Sequence, residues 1–171
     1  ALVCNVLNPR VILGQGLVEE NLSQGGFHEC GLTRLPAFRS FPAGVRHEAF
    51  ETDLHLAADG SIPIWHDVHV DGLPIEKLTL AQIRERVPQV PTLQETLEAC
   101  AARIPFNLEI KCSASGLYAG LEARVLEIVR AMTSLDRVLF SSFEIPVLQQ
   151  LRRLGPKARI GVLRSSRYLR P

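Results

Sequence analysis

"FETDLHLAADGSIPIWHD", residues 50–67, sets two short strand-like runs on either side of the turn-forming "AADG". In the first run Phe50, Leu54 and Leu56 are apolar, while Glu51, Asp53 and His55 fall at alternate positions. A strand has a side-chain period of two, so these three polar residues share one face. So short a turn returns the chain antiparallel, which makes the pair a hairpin. With Asp59 and Gly60 as a two-residue loop, His66 falls opposite Asp53 on the same face.

The same alternation recurs in "FNLEIK", residues 106–111. Phe106, Leu108 and Ile110 alternate there with Asn107, Glu109 and Lys111. Around these runs the chain alternates strand and helix patterns. "LTLAQIRERVP" is a short helix with Thr79 as N-cap and Pro88 as its stop. In "PTLQETLEACAARI", Thr92 and Glu95 form a capping box, and Leu93, Leu97, Ala101 and Ile104 line one face. "LYAGLEARVLEIVRAM" is a helix with Leu117, Leu121, Val125, Ile128, Val129 and Met132 as its buried stripe. "RVLFSSF" is a strand, and "EIPVLQQLRRLG" is a helix carrying Leu148, Leu151 and Leu154 on one face and Gly155 at its C-cap. "ARIGVL" is a last strand.

Strand–helix alternation with short connections predicts a mainly parallel sheet in an α/β architecture. Strands of such sheets are normally apolar on both faces. Two strands with one polar face fit either solvated edges of an antiparallel sheet or a barrel interior near its C-terminal mouth. The barrel reading explains both strands at once within a βα alternation.

Composition narrows the class. The chain has 171 residues, enough for one domain, with 46% hydrophobic and 22% charged residues. A net charge of +1 gives no bulk field to recruit nucleic acid or a membrane surface. The four cysteines, at 4, 30, 100 and 112, have no Cys-x-x-Cys spacing, so reduced thiols are expected rather than a zinc site or a disulfide framework. Cys100 and Cys112 read as small core residues. No apolar run approaches the ~18 residues of a membrane-spanning helix. The opening "ALVCNVLNPRVILG" lacks the regions of a signal peptide, which favours a cytoplasmic location.

Three carboxylates converging in a low-dielectric interior repel one another. A hard divalent cation removes the conflict, because Mg²⁺ and Ca²⁺ prefer carboxylate oxygens. Glu51, Asp53 and Glu109 are therefore a candidate metal triad. Lys111 is placed to hold a phosphate oxygen, and His66 to act as general acid or base. Metal, lysine and histidine together suit phosphoryl transfer from a small-molecule phosphodiester.

These motifs carry a resemblance. "FETDLHLAADGSIPIWHD" resembles the signature of the glycerophosphodiester phosphodiesterases, E-x-D, then T/A-x-D-G, then V/I-x-H-D. "VPTLQETLEA", "FNLEIK" and "LFSSF" are similar to three further segments of that family, in order, from about residue 36 to about 165. The resemblance implies a TIM-type (β/α) barrel of the phospholipase C-like phosphodiesterase kind, and metal-dependent hydrolysis of glycerophosphodiesters to an alcohol and glycerol phosphate. It implies Glu51, Asp53 and Glu109 as metal ligands, His66 as a catalytic histidine and Lys111 as a phosphate-side residue.

Two departures stand out. The family's H-R-G motif supplies a second catalytic histidine and an arginine, and "SQGG" occupies its place here, with Ser23 and Gln24 where His and Arg would stand. His28 and His47 lack the flanking pattern and read as surface histidines. Counting strands, residues 1–171 supply about five or six of the eight units of a closed barrel, as one domain lacking the last units. Weak turnover is expected accordingly. The alternatives are a silent metal- or phosphodiester-binding fragment, and a lipid phosphodiesterase of the lysophospholipase D or sphingomyelinase D kind.

Overall fold

The computed structural model describes residues 50–100 and 105–163. Its centre is a four-stranded parallel sheet in the order β1 (Phe50–Leu54), β4 (Phe106–Ile110), β5 (Val138–Ser142), β6 (Arg159–Val162). Between β1 and β4 lie a two-stranded hairpin, β2 (His69–Val70) and β3 (Leu73–Pro74), and the helices α1 (Leu80–Arg86) and α2 (Leu93–Cys100). Helix α3 (Leu121–Met132) links β4 to β5, and α4 (Ile145–Leu154) links β5 to β6. The architecture is α/β of the TIM-barrel type, and the described strands form an open arc of it.

Each strand divides its faces as its sequence alternation requires. Leu54, Phe106, Leu108, Ile110, Val138 and Phe140 are buried against Leu93 and Leu97 of α2, Leu121, Val125 and Val129 of α3, and Leu148 and Leu151 of α4. The opposite face carries Glu51, Asp53 and His55 of the first strand and Asn107, Glu109 and Ser141 of its neighbours. All six are buried, which excludes a solvated edge face. Parallel pairing sets Glu51 beside Asn107 and Asp53 beside Glu109, and Glu109 beside Ser141. Side chains at matched depth on neighbouring strands build the layers of a barrel interior.

Helix starts follow their caps. The Thr79 hydroxyl accepts from the Gln82 amide while the Gln82 side chain accepts from the Thr79 amide. At α2 the Glu95 amide donates to Thr92 Oγ1 at 3.2 Å and the Thr92 amide to Glu95 Oε2 at 2.8 Å. Ala101 and Ile104, expected on the α2 stripe, lie outside the described residues.

Four expectations are corrected. Helix α3 begins at Leu121 rather than Leu117, because Gly120 at its N-cap holds a left-handed φ of +88°. Leu117 is consequently an exposed loop residue rather than part of the stripe. On α4, Leu148 and Leu151 are buried but Leu154 is mostly outside the core. "SIPIWH" is not a strand. It reaches β1 through an isolated antiparallel bridge between Leu54 and Ile64, and turns at Pro63 to bridge Thr92.

The fourth correction concerns register. The Ala57 amide donates to Ser61 O at 2.9 Å and the Gly60 amide to Ala57 O at 3.0 Å, so the loop has three residues, not two. Gly60, at φ +79°, is the left-handed third residue that such a loop requires. One extra residue shifts every later pairing by one, and the Trp65 amide donates to Asp53 O at 3.2 Å. Trp65, not His66, stands opposite Asp53.

Candidate metal and phosphate site

The site begins with two strand ends. Carboxylate oxygens of Glu51, Asp53 and Glu109 lie within 4.8 Å of one another, and all three residues are buried. Alternation on β1 aims two of them at the interior, and pairing of Asp53 with Glu109 brings in the third. Lys111 continues the ladder just past β4, its amide donating to Leu54 O at 3.2 Å. Its Nζ sits 2.5 Å from Glu109 Oε1 and 3.0 Å from Asp53 Oδ1. Burial opposes the charge on Lys111, but the Glu109 and Asp53 carboxylates outweigh it and hold its pKa above the ordinary value.

Three carboxyl groups share this enclosed space with one ammonium. A set of hard oxygen donors this close can surround one cation at roughly 2.0–2.6 Å. The donor chemistry thus fits a hard divalent ion, while Lys111 supplies part of the compensation in its own right.

Beside the carboxylates Ser141 Oγ donates to Asn107 Oδ1 at 2.8 Å, tying β4 to β5 at the level of Glu51 and Glu109. Ser142 points to the helix side, where its Oγ donates to Ile110 O at 2.8 Å and accepts from the Glu144 amide at 3.1 Å. Neither serine has the surroundings of a nucleophile.

His66 is about half exposed, and its Nδ1 lies 2.9 Å from Asp67 Oδ1. The hydrogen bond to His66 is the main reason the Asp67 carboxyl sits below its ordinary pKa, so Asp67 orients His66. With Nδ1 donating to Asp67, Nε2 carries the lone pair. Trp65 packs against a second small core formed by Ala57, Val70, Ile75, Leu78, Ile83 and Val90, and its Nε1 donates to His69 O at 3.0 Å.

Cys100 is buried in the main core. Burial first, then the Glu144 and Glu122 carboxylates, push the Cys112 thiol above its ordinary pKa, the reverse of an activated nucleophile.

Two buried groups, His55 and Tyr118, and the half-buried Glu76 have no counterpart among the expected site residues. His55 is fully enclosed and Nδ1 bonds the Tyr118 hydroxyl at 2.8 Å. Desolvation lowers its pKa to about 4, so the ring is neutral. Glu76, on a single 3-10 turn after β3, accepts from the backbone of Ala114 and Ser115. His55 was legible as a co-facial neighbour of Asp53; Tyr118 and Glu76 reach the site only through folding. The β2–β3 hairpin also had a signal, the dipeptide Asp71-Gly72. Both residues hold positive φ, +49° and +78°, as a two-residue hairpin loop requires.

The sequence profile of the glycerophosphoryl diester phosphodiesterase family matches residues 39–171. A glycerophosphodiester phosphodiesterase from Caldanaerobacter subterraneus subsp. tengcongensis is 27% identical over 133 residues, 68% of this chain and 54% of that protein. Among solved structures, a provisionally named glycerophosphodiester phosphodiesterase from Galdieria sulphuraria aligns with a TM-score of 0.62 at 25% identity, covering 74% of this chain and 56% of that one. A phosphodiesterase from Oleispira antarctica, in complex with the product sn-glycerol-3-phosphate, aligns with a TM-score of 0.56 at 28% identity, covering 66% and 52%. The chain spans about half the length of these relatives. With the profile covering most of the sequence and the buried acidic site on the matching strands, the chain belongs to the glycerophosphoryl diester phosphodiesterase family.

Proposed function

We propose that this chain carries the site for metal-dependent hydrolysis of glycerophosphodiesters to an alcohol and glycerol 3-phosphate. The observation that carries the reading is the buried cluster of Glu51, Asp53 and Glu109 with Lys111 bound against two of them. Glu51, Asp53 and Glu109 would hold Mg²⁺ or Ca²⁺, which when bound supplies Lewis-acid polarisation of a phosphoryl oxygen. Lys111 places a fixed positive charge beside that oxygen, where charge grows in the transition state. His66, oriented by Asp67, offers Nε2 to move a proton to or from the reacting oxygens. The product held by the Oleispira antarctica relative supports a small-molecule phosphodiester substrate. No helix among the described residues is long and apolar enough to cross a membrane.

Release of choline and glycerol 3-phosphate from glycerophosphocholine, measured with Mg²⁺ or Ca²⁺ and again after chelation, tests the reading. Metal-independent release, or release unaffected by Asp53→Asn, would refute it.

A second reading, a chain that binds the cation with very low turnover, is favoured by Ser23 and Gln24 in the H-R-G place. A serine hydroxyl is too weak an acid or base near neutral pH to replace a histidine. Cation binding without hydrolysis, and turnover appearing in Ser23→His with Gln24→Arg, would favour this second reading over the first.

A further inference from the structure

Lys111 stands one step past the last residue of β4, at the end of the strand where the interior opens. Its side chain keeps 17% of its surface in solvent, against 4% for Asp53 and 6% for Glu109. The bond from its amide to Leu54 O holds its backbone in the ladder, while Nζ is carried on a flexible four-carbon stem. Its charge is permanent but its place is not.

This ammonium and a divalent cation call on the same oxygens. Nζ lies 2.5 Å from Glu109 Oε1, inside the span of roughly 2.0–2.6 Å that a hard cation takes from its oxygen ligands. It lies 3.0 Å from Asp53 Oδ1, so it is shared by two of the three carboxylates that converge here. A dication held by all three would stand within a few ångströms of Nζ, and like charges that close in a buried site repel strongly. An oxygen that ligates the cation is also a poorer partner for the ammonium. The stem offers another place, the open side of the cluster, where Lys111 already meets solvent.

We propose that Lys111 is a latch with two positions. It pairs with Asp53 and Glu109 until a divalent cation takes their oxygens, and then swings to the open side, where its ammonium pairs with a phosphate oxygen of the substrate. Cation and phosphate therefore bind in that order, because the charge that holds the phosphate is released by the cation. The inference rests on the cation site proposed above and adds a movement to the task given there to Lys111.

Nitrogen-15 NMR of the lysine ammonium groups in the full chain tests it without any turnover. The chain has three lysines, and Lys77 and Lys157 are exposed, so Lys77→Arg and Lys157→Arg assign the spectrum and leave the site intact. Before cation is added, the Lys111 ammonium protons should exchange with water more slowly than those of the other two lysines. Saturating Mg²⁺ or Ca²⁺, its binding followed by calorimetry, should speed that exchange roughly tenfold, the effect of losing a charge-assisted contact. Adding sn-glycerol 3-phosphate to the cation-loaded chain should slow it again, and adding it without cation should change nothing. Cation binding with Lys111 exchange unchanged, or a response to sn-glycerol 3-phosphate without cation, would overturn the latch and leave the cation site standing. A chain that binds neither Mg²⁺ nor Ca²⁺ would overturn both.

Discussion

At the scale of single residues, the site is an electrostatic balance that one substitution can tip. Lys111 neutralises part of a buried acidic cluster, so Lys111→Met leaves three carboxylates facing one another. Removing one member of a buried ion pair typically costs about 3–5 kcal/mol. Chemical denaturation should show a loss of that order, and added Mg²⁺ or Ca²⁺ should recover more stability in Lys111→Met than in the parent. A parent whose thermal midpoint does not move with either cation would argue against a working cation site. Glu51→Gln with Asp53→Asn should abolish the cation-dependent shift, which amounts to about 2.7 kcal/mol when the ion is present at one hundred times its dissociation constant.

Among the elements, α2 has a pH-sensitive anchor. The Glu95 carboxylate receives Arg84 Nη2 at 2.8 and 2.6 Å and also caps its own helix. Burial opposes the charge, yet Arg84 and Thr92 prevail and hold the pKa below its ordinary 4.5. The sign follows from the proton count: as pH falls, the unfolded chain takes up the proton before the folded one. The stability contributed by Glu95 is therefore complete above about pH 4.5 and lost as pH falls toward the folded pKa. Unfolding midpoints of parent and Glu95→Gln should converge in acid and separate near neutrality. A constant gap across that range would refute the linkage. The β2–β3 hairpin depends on backbone geometry instead. Gly72 has open space around it but a φ of +78°, so Gly72→Ala should cost about 1 kcal/mol through strain alone. Gly155 is the contrast: its φ of −135° suits any residue, but a Cβ would sit 3.3 Å from Leu126 Cδ2, so that side chain would have to shift by a few tenths of an ångström.

Across the whole molecule, one sheet separates stability from chemistry. Its helix-facing side carries Phe140, fully buried, and its interior side carries Ser141 one residue along the same strand. Phe140→Ala should lower stability by about 3–5 kcal/mol by opening a cavity. Ser141→Ala removes the donor to Asn107 and should cost nearer 1 kcal/mol, with its larger effect on cation affinity, since Asn107 is the register neighbour of Glu51. Equal losses of stability in the two variants would show that the faces are not divided in this way.

The sequence by itself determined the period-two alternation in "FETDLHL" and "FNLEIK", and with it which side chains face inward. It also determined the helix starts at Thr79 and Thr92, because caps and alternation are set by residues a few positions apart. The carboxylate cluster was legible for the same reason, since parallel pairing of two such strands leaves little choice of partner. Only the tertiary structure decided the rest. The loop after β1 took three residues rather than two, and so brought Trp65 rather than His66 opposite Asp53. A one-residue choice in a turn is nearly neutral locally, and it is settled by how well the following segment packs, here Trp65 against the second small core. Tyr118 left the helix predicted for it because Gly120 takes a left-handed conformation, and burial beside His55, 63 residues earlier, gives its ring and hydroxyl a place. Contacts between residues so far apart in the chain leave no periodic trace in the sequence, because their energy is realised only once the sheet has brought them together.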